Sequence, residues 1–337
     1  MISVIVPAFE AAQSISACVQ ALRVQTTGEP YEIIVVDDGS TDATAQLAEA
    51  AGVRVLREAH QGQAAARNLG VINALGEIIM FTDADCVAAP DWIAQMSAPL
   101  SDPAVDGVKG AYGTRQRRWV PRLAQLEFEE RYDRLERTRF VDFFDTHALT
   151  LRKTVLQSLG SFDTLFPNNE DVDLAYRYAT VGKGLTFNRA AVVYHSHPSN
   201  WAAYMSLKFW RGYWRMQVYR RYPGKMLVDS YTPNNLKAQV ALVGLLLPSV
   251  ALAIIGLPST WVAVALVALL AISAWPLARL AWRRDRRLIP FIPLFILVRG
   301  LSIGLGVMLG ILTIAHVLPL LQGRMRMQHE PDPAKVT

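Results

Sequence analysis

Beyond Lys237 the chain changes character. Residues 238–257, 258–278 and 300–321 carry no Asp, Glu, Lys or Arg, and each is close to the ~20 apolar residues a helix needs to cross a bilayer. Three such segments in a row without an amphipathic face predict transmembrane helices rather than buried core helices. Up to about Tyr222 the sequence is mixed and charged, so the 337 residues divide into a polar region and an apolar, membrane-type region.

The basic residues set an expected orientation. The N-terminus runs straight into a strand pattern with no basic flank or cleavage site, so no signal peptide is expected. The cluster Arg283-Arg284-Asp285-Arg286-Arg287 lies between the second and third apolar segments, and no Lys or Arg separates the first two. Positive residues favour the inner side, which puts this cluster and the N-terminal region in the cytosol of a multi-pass protein of bacterial inner-membrane type. Residues 288–321 are too long for one straight span, at roughly 51 Å as a helix. With Arg299 as an interruption, residues 288–298 read as an interfacial piece and 300–321 as the span. That leaves Arg324 and Arg326 outside, and a re-entrant hairpin is the alternative.

Residues 200–222 interleave Trp201, Tyr204, Phe209, Trp210, Tyr213 and Trp214 with Lys208, Arg211, Arg215 and Arg220. Aromatics with basic residues on one helix suit a membrane interface; the rivals are a nucleic-acid surface and an ordinary core helix, and nearness to the first apolar segment favours the interface. Residues 115–139 form a second basic stretch, either a cover for an acceptor or a solvated helix. The net charge of +5 agrees with anionic lipid, and nothing else argues for nucleic acid. Two cysteines, Cys18 and Cys86, are too few for a disulfide framework.

The polar region has its own signature. Ser3-Val4-Ile5-Val6-Pro7-Ala8 and Ile33-Ile34-Val35-Val36-Asp37-Asp38 are β-branched runs that stop at turn residues, and residues 12–25 between them have helical spacing at Ile15, Val19 and Leu22. Strand, helix, strand with nearly continuous apolar strands implies a buried, mostly parallel sheet. Ligands of such sheets bind at the carboxyl ends of the strands. Pro7 to Glu10, Asp37-Asp38 and Asp83-Ala84-Asp85 all occupy such ends. The last follows Ile78-Ile79-Met80-Phe81 and offers two hard oxygen donors of the kind that hold Mg²⁺ or Mn²⁺. Ser40 or Thr41 is expected to cap the helix that follows the second strand.

Further on, Glu170 and Asp171 open a helix, where the dipole favours carboxylates. The run Ala191-Val192-Val193-Tyr194-His195-Ser196-His197 reads as a strand with both histidines on one side, beside an acidic site where a metal needs ligands.

The ordered set VIVPAFE, VVDDGSTD, GQAAARNLG, FTDADC, GSFD with NNEDVDLAYR, and VVYHSH resembles the family 2 glycosyltransferases of the GT-A fold over about residues 1–200. The resemblance implies an α/β, Rossmann-like, mostly parallel catalytic domain at 1–199; composition adds an amphipathic interfacial helix and linker at 200–235, about three transmembrane helices at 236–322 and a polar tail at 323–337. The resemblance also implies roles. Pro7, Ala8, Glu10 and Asp38 would touch base and ribose of a nucleotide-sugar donor, with Arg67 near the nucleotide. Asp83 and Asp85 would bind the diphosphate through a divalent cation, Mg²⁺ or Mn²⁺, with Asp83 also on the donor side. Asp171 would be the general base beside Glu170, and His195 a third metal ligand, His197 competing for that place.

The expected activity is therefore single, inverting transfer of a sugar to a lipid-linked or other glycan acceptor in envelope polysaccharide synthesis. A processive synthase is the alternative, but Phe209-Trp210-Arg211-Gly212-Tyr213-Trp214-Arg215 stands where such enzymes carry Gln-x-x-Arg-Trp and does not match it. An inactive membrane scaffold is the second alternative, against which Asp38, Asp83, Asp85 and Asp171 argue.

Overall fold

The β-branched runs form the strands their composition predicts, and their termini decide where chemistry can occur. The computed structural model describes residues 1–166, 169–226, 232–256 and 258–314. The chain forms two compact units: Met1–Arg115 with Tyr132–Ser196, and Gln116–Arg131 with the described residues from His197 onward.

The first unit is built on an eight-stranded sheet. Its strands are β1 (Ile2–Ala8), β2 (Tyr31–Asp37), β3 (Arg54–Arg57), β4 (Ile78–Phe81), β5 (Val87–Ala88), β6 (Gly107–Gly113), β7 (Leu149–Arg152) and β8 (Leu185–Tyr194), in the order β3-β2-β1-β4-β7-β6-β8-β5. The pairs β1/β2, β2/β3, β1/β4 and β6/β8 are parallel; β4/β7, β6/β7 and β5/β8 are antiparallel. Strands β1 and β2 are buried on both faces, as near-continuous apolar runs require. The helices of this unit are α1 (Ile15–Arg23), α2 (Thr44–Ala50), α3 (Gln63–Asn73), α4 (Trp92–Ser97), α6 (Lys153–Ser158) and α7 (Glu170–Thr180), while α5 (Trp119–Leu135) runs through both units.

Register sets the geometry of the site. Ala8 lies opposite Asp37 and Ile5 opposite Phe81, so the carboxyl ends of β1, β2 and β4 open on one edge. The loops that follow are sewn together: the Glu10 N–H donates to Ser40 Oγ (3.0 Å), Ala11 N–H to Thr44 Oγ1 (2.7 Å) and Ala12 N–H to Asp42 Oδ2 (3.0 Å). Ser40 and Thr41 therefore do not cap α2. Ser40 serves the β1 loop, and Asp42 Oδ1 accepts the Thr44 N–H instead (2.9 Å). Gly39, at φ +76°, admits no side chain, since a Cβ there would lie 2.7 Å from the His60 backbone nitrogen.

The helices of the second unit are the part of α5 up to Arg131, α8 (Trp201–Arg221), α9 (Asn234–Ile254), α10 (Thr260–Arg284) and α11 (Ile292–Ile314). Asn200 caps α8 by accepting the Ala203 N–H (2.9 Å). Helices α9 and α10, and the stretch Arg286–Ile314 that contains α11, are long and apolar enough to cross a membrane. Leu247, Ile254, Trp261 and Ile272 project outward from them.

Two features differ from expectation. Arg299 does not break the helix: α11 runs continuously through it from Ile292 to Ile314, after a short 3-10 turn at Arg286–Phe291. The reason is that the Arg299 charge is matched. Its guanidinium donates to Glu127 Oε1 of α5 (2.8 Å) and to Gln239 of α9, and Glu127 also accepts from Lys208 and from Tyr204 (3.0 Å) of α8. The 115–139 stretch is accordingly not a solvated face. Val120, Leu123, Ala124 and Leu126 of α5 join the apolar core of this unit and Glu127 is buried among cations. The expected end of the span at Leu321, with Arg324, Arg326 and the tail at 323–337, lies outside the described residues.

Helices α8 and α11 pack through glycine. A Cβ on Gly306 would lie 2.0 Å from the Phe209 carbonyl oxygen, and one on Gly212 would lie 2.6 Å from that of Ile303. Small residues allow such backbone approach between helices.

Candidate active site

Arg67 is the hub of the sequence-predicted residues. It projects from α3 and is almost fully buried. One Nη donates to Glu170 Oε1 (2.5 Å); the other donates to Asp83 Oδ1 (3.0 Å) and Gln63 Oε1 (3.1 Å). A planar guanidinium with separate N–H groups is suited to hold two carboxylates from distant segments at once. It joins the Asp-x-Asp loop after β4 to the start of α7. Burial pushes the Glu170 carboxyl up to about 7, and the Asp171 charge adds to that, against the opposing pull of Arg67.

Asp171, next on α7, is only partly buried, with its Oδ1 accepting the Val172 N–H (2.8 Å). Asn169, at φ +65°, supplies the left-handed turn that starts this helix. Of Glu170 and Asp171 the more exposed is thus Asp171, while Glu170 is committed to Arg67.

At the β4 end, Asp83 also faces His147, with Nε2 3.5 Å from Oδ2. Asp85 is half exposed, and His195 Nδ1 lies 3.2 Å from its Oδ2. Partial burial would raise the Asp85 carboxyl, but the neighbouring His195 outweighs it and holds the group well below the usual carboxylate range. Cys86 Sγ lies 3.6 Å from Asp85 Oδ1 and 3.9 Å from His195 Nδ1.

The two histidines of the H-x-H segment part company. Strand β8 ends at Tyr194, so the alternation that would put both on one side no longer applies. His195 turns to Asp85. His197 is buried in the other unit, its Nε2 2.7 Å from Gln125 Oε1 and its ring stacked on Phe128.

The β1 and β2 ends form the remaining edge. Pro7 and Ala8 close β1 opposite Val36 and Asp37. Glu10, at φ +48°, accepts the Thr41 N–H (2.7 Å) and hydroxyl (2.8 Å). Both Asp38 oxygens are engaged: Oδ1 by the Gln61 N–H (2.7 Å), and Oδ2 by the Gly62 N–H (2.8 Å) and His60 Nδ1 (3.0 Å). The His60 ring stacks on Phe9 with centroids 4.2 Å apart. Asp38 thereby fixes the 60–62 loop beside the β1 end.

Sequence reasoning missed His60, His147, Lys109, Tyr112 and Asp145. Lys109 Nζ donates to the buried Asp145 (2.5 Å), Tyr112 donates to the same carboxylate, and the Tyr112 ring lies 4.7 Å from that of His147. Burial holds the His147 ring below the usual histidine range. These residues are scattered along the chain and no spacing rule joins them: His60 meets Asp38 from the loop after β3, while the β6/β7 pairing sets Lys109 and Tyr112 beside the segment that carries Asp145 and His147, the latter facing Asp83.

A Rossmann-like mixed sheet, an Asp-x-Asp loop after its central strand and an acidic helix start tied back to that loop define a GT-A-type glycosyltransferase domain. Residues 3–160 match the model of glycosyl transferase family 2. Among curated proteins, the chain is 28% identical over 208 residues to the glycosyltransferase AglE of Haloferax volcanii (58% of this chain, 66% of that protein). It is 25% identical over 245 residues to the pre-mycofactocin glycosyltransferase of Mycobacterium tuberculosis (66% of this chain, 48% of that protein). The matches thus span about half to two thirds of these relatives' lengths. The mannosyltransferase PcManGT from Pyrobaculum calidifontis, solved with GDP-Man and Mn²⁺, superposes with a TM-score of 0.60 at 22% identity, covering 92% of this chain and 86% of that one. At that identity the likeness speaks for the fold.

Proposed function

We propose that the protein is a membrane-anchored, metal-dependent, inverting glycosyltransferase that moves a sugar from a nucleotide-sugar to a lipid-linked acceptor. The observation that carries the reading is Arg67, which holds the Asp83 loop and the Asp171 helix start in one fixed relation. Donor and base chemistry then meet at one edge of the sheet.

In this reading Pro7, Ala8 and Glu10 line the base and ribose site, and Asp38 shapes it by pinning the 60–62 loop. Asp83, Asp85 and His195 are the proposed cation ligands; the Asp85 carboxylate and the His195 imidazole, 3.2 Å apart, fit Mn²⁺, and Mg²⁺ if oxygen ligands dominate. A bound cation supplies charge neutralisation on the leaving diphosphate. Asp171 takes the proton of the acceptor hydroxyl as its oxygen attacks the anomeric carbon. The bond from that carbon to the diphosphate oxygen breaks, and the nucleoside diphosphate leaves. Glu170, held by Arg67, positions Asp171. A single base with no carboxylate assigned as nucleophile supports one displacement and inversion.

The three apolar helices support membrane attachment, and the Arg283–Arg287 cluster supports a cytosolic catalytic domain. A membrane-held enzyme meets a long-chain acceptor in the same plane, which supports the lipid-linked class and envelope glycan synthesis.

A melting-temperature screen of the full-length protein in detergent, with UDP-, GDP-, CDP- and dTDP-sugars and Mn²⁺, tests the donor assignment. A ligand at 100 times its Kd adds about 2.7 kcal/mol. One nucleotide class should stabilise wild type, and Asp85→Ala should abolish the Mn²⁺-dependent part. Stabilisation by none, or full retention in Asp85→Ala, would sink the assignment.

A further inference from the structure

We propose that Asp85, Cys86 and His195 form a binding site for a thiophilic divalent metal, Zn²⁺ being the type case, that competes with the hard cation expected at the Asp-x-Asp loop. The thiol is what sets this loop apart. Two carboxylates alone would select Mg²⁺ or Mn²⁺, whereas a sulfur and an imidazole at the same point shift preference toward zinc.

The geometry is close to what such an ion requires. With zinc bond lengths of about 2.0–2.3 Å to O, N and S, the ligand atoms of a tetrahedral site stand about 3.4–3.6 Å apart. Here Cys86 Sγ is 3.6 Å from Asp85 Oδ1 and 3.9 Å from His195 Nδ1, and Asp85 Oδ2 is 3.2 Å from that same nitrogen. One ligand atom from each residue lies within 4.8 Å of the others. Few side-chain shifts are needed. Three protein ligands leave the fourth position for water or a phosphate oxygen, since Asp85 remains half exposed while Cys86 closes the inner side.

Binding is balanced by proton release. The Cys86 S–H bond breaks as the sulfur–metal bond forms, and one proton passes to solvent per ion. A hard cation has no use for the thiol and takes oxygen from Asp85 instead. Both ions need Asp85, so they exclude one another. This site stands on side-chain geometry and is read by metal binding, so its failure and the failure of the glycosyl-transfer reading are separate results.

The test uses full-length protein in detergent, stripped of metal and titrated with Co²⁺ as the spectroscopic probe. We expect a thiolate-to-cobalt charge-transfer band in the near ultraviolet, one proton released per ion, and loss of the band when Zn²⁺ displaces cobalt. Cys86→Ser should abolish the band and weaken Zn²⁺ binding by at least about tenfold; Cys18→Ser should leave the band intact. Mn²⁺ affinity, followed by electron paramagnetic resonance, should change far less in Cys86→Ser than Zn²⁺ affinity does. A wild-type spectrum without a thiolate band overturns the proposal even if Cys86→Ser fails to fold. So does a band that follows Cys18, or equal loss of Mn²⁺ and Zn²⁺ affinity, which would make Cys86 a packing residue only.

Discussion

Arg67 gives two acids their context, and substitutions there separate charge from geometry. Arg67→Lys keeps the charge but cannot serve Glu170 and Asp83 with two separate N–H groups. Losing one hydrogen bond to a charged partner costs about 1.5–3 kcal/mol, so the variant should melt earlier and bind donor more weakly. An unchanged melting temperature would mean that the bridge contributes nothing. Glu170 carries a pH signature. Its carboxyl is raised by burial from 4.5 to about 7, so the folded state holds the proton more tightly than the unfolded chain. This group's contribution is complete below pH 4.5 and is lost as pH rises through about 7. Melting temperatures across that window should fall more steeply for wild type than for Glu170→Gln, and parallel curves would refute the assignment. Asp83, Asp85, Glu170 and Asp171 were legible as a set because each sits at a strand end or helix start that composition marks. His147 and His60 were not: a lone histidine carries no pattern until strand pairing supplies its neighbours.

At the scale of elements, the α8/α11 seam makes a sharp comparison. Gly306→Ala places a methyl 2.0 Å from the Phe209 carbonyl oxygen, whereas Gly304→Ala meets nothing closer than the Val240 Cγ1 at 3.7 Å. We expect the first to lower the melting temperature in detergent and the second to leave it near wild type or raise it slightly. Equal effects would mean the helices do not meet there. Glu127→Gln tests the buried cluster of α5, α8, α9 and α11. It removes the carboxylate to which Lys208 and Arg299 both donate, and breaking a buried pair in this way costs about 3–5 kcal/mol. Apolar length alone marked the helices, but the span through Arg299 was hidden from sequence. A charge reads as an interruption until its partner is known, and Glu127 lies 172 positions away. The same blindness let α5 read as a solvated helix, since Glu127 and the apolar residues around it find their partners far along the chain.

For the whole molecule, the second unit is built from both sides of the chain: Gln116–Arg131 belongs with the residues from His197 onward. Truncation after Tyr222 would strip α9 to α11 from Val120, Leu123 and Glu127, so a soluble fragment is a poor stand-in for the enzyme. The direct test therefore uses full-length protein in nanodiscs, given the nucleotide-sugar that stabilises it, Mn²⁺, and either a long-chain polyprenyl acceptor or its short soluble analogue. Nucleoside diphosphate release and glycosylated product are measured for wild type and Asp171→Asn. We expect the long-chain acceptor to be favoured, and Asp171→Asn to transfer roughly 10²–10⁴-fold more slowly while binding the donor normally. Wild-type turnover in Asp171→Asn, or no product from any nucleotide-sugar that binds, would contradict the assignment of this site to glycosyl transfer.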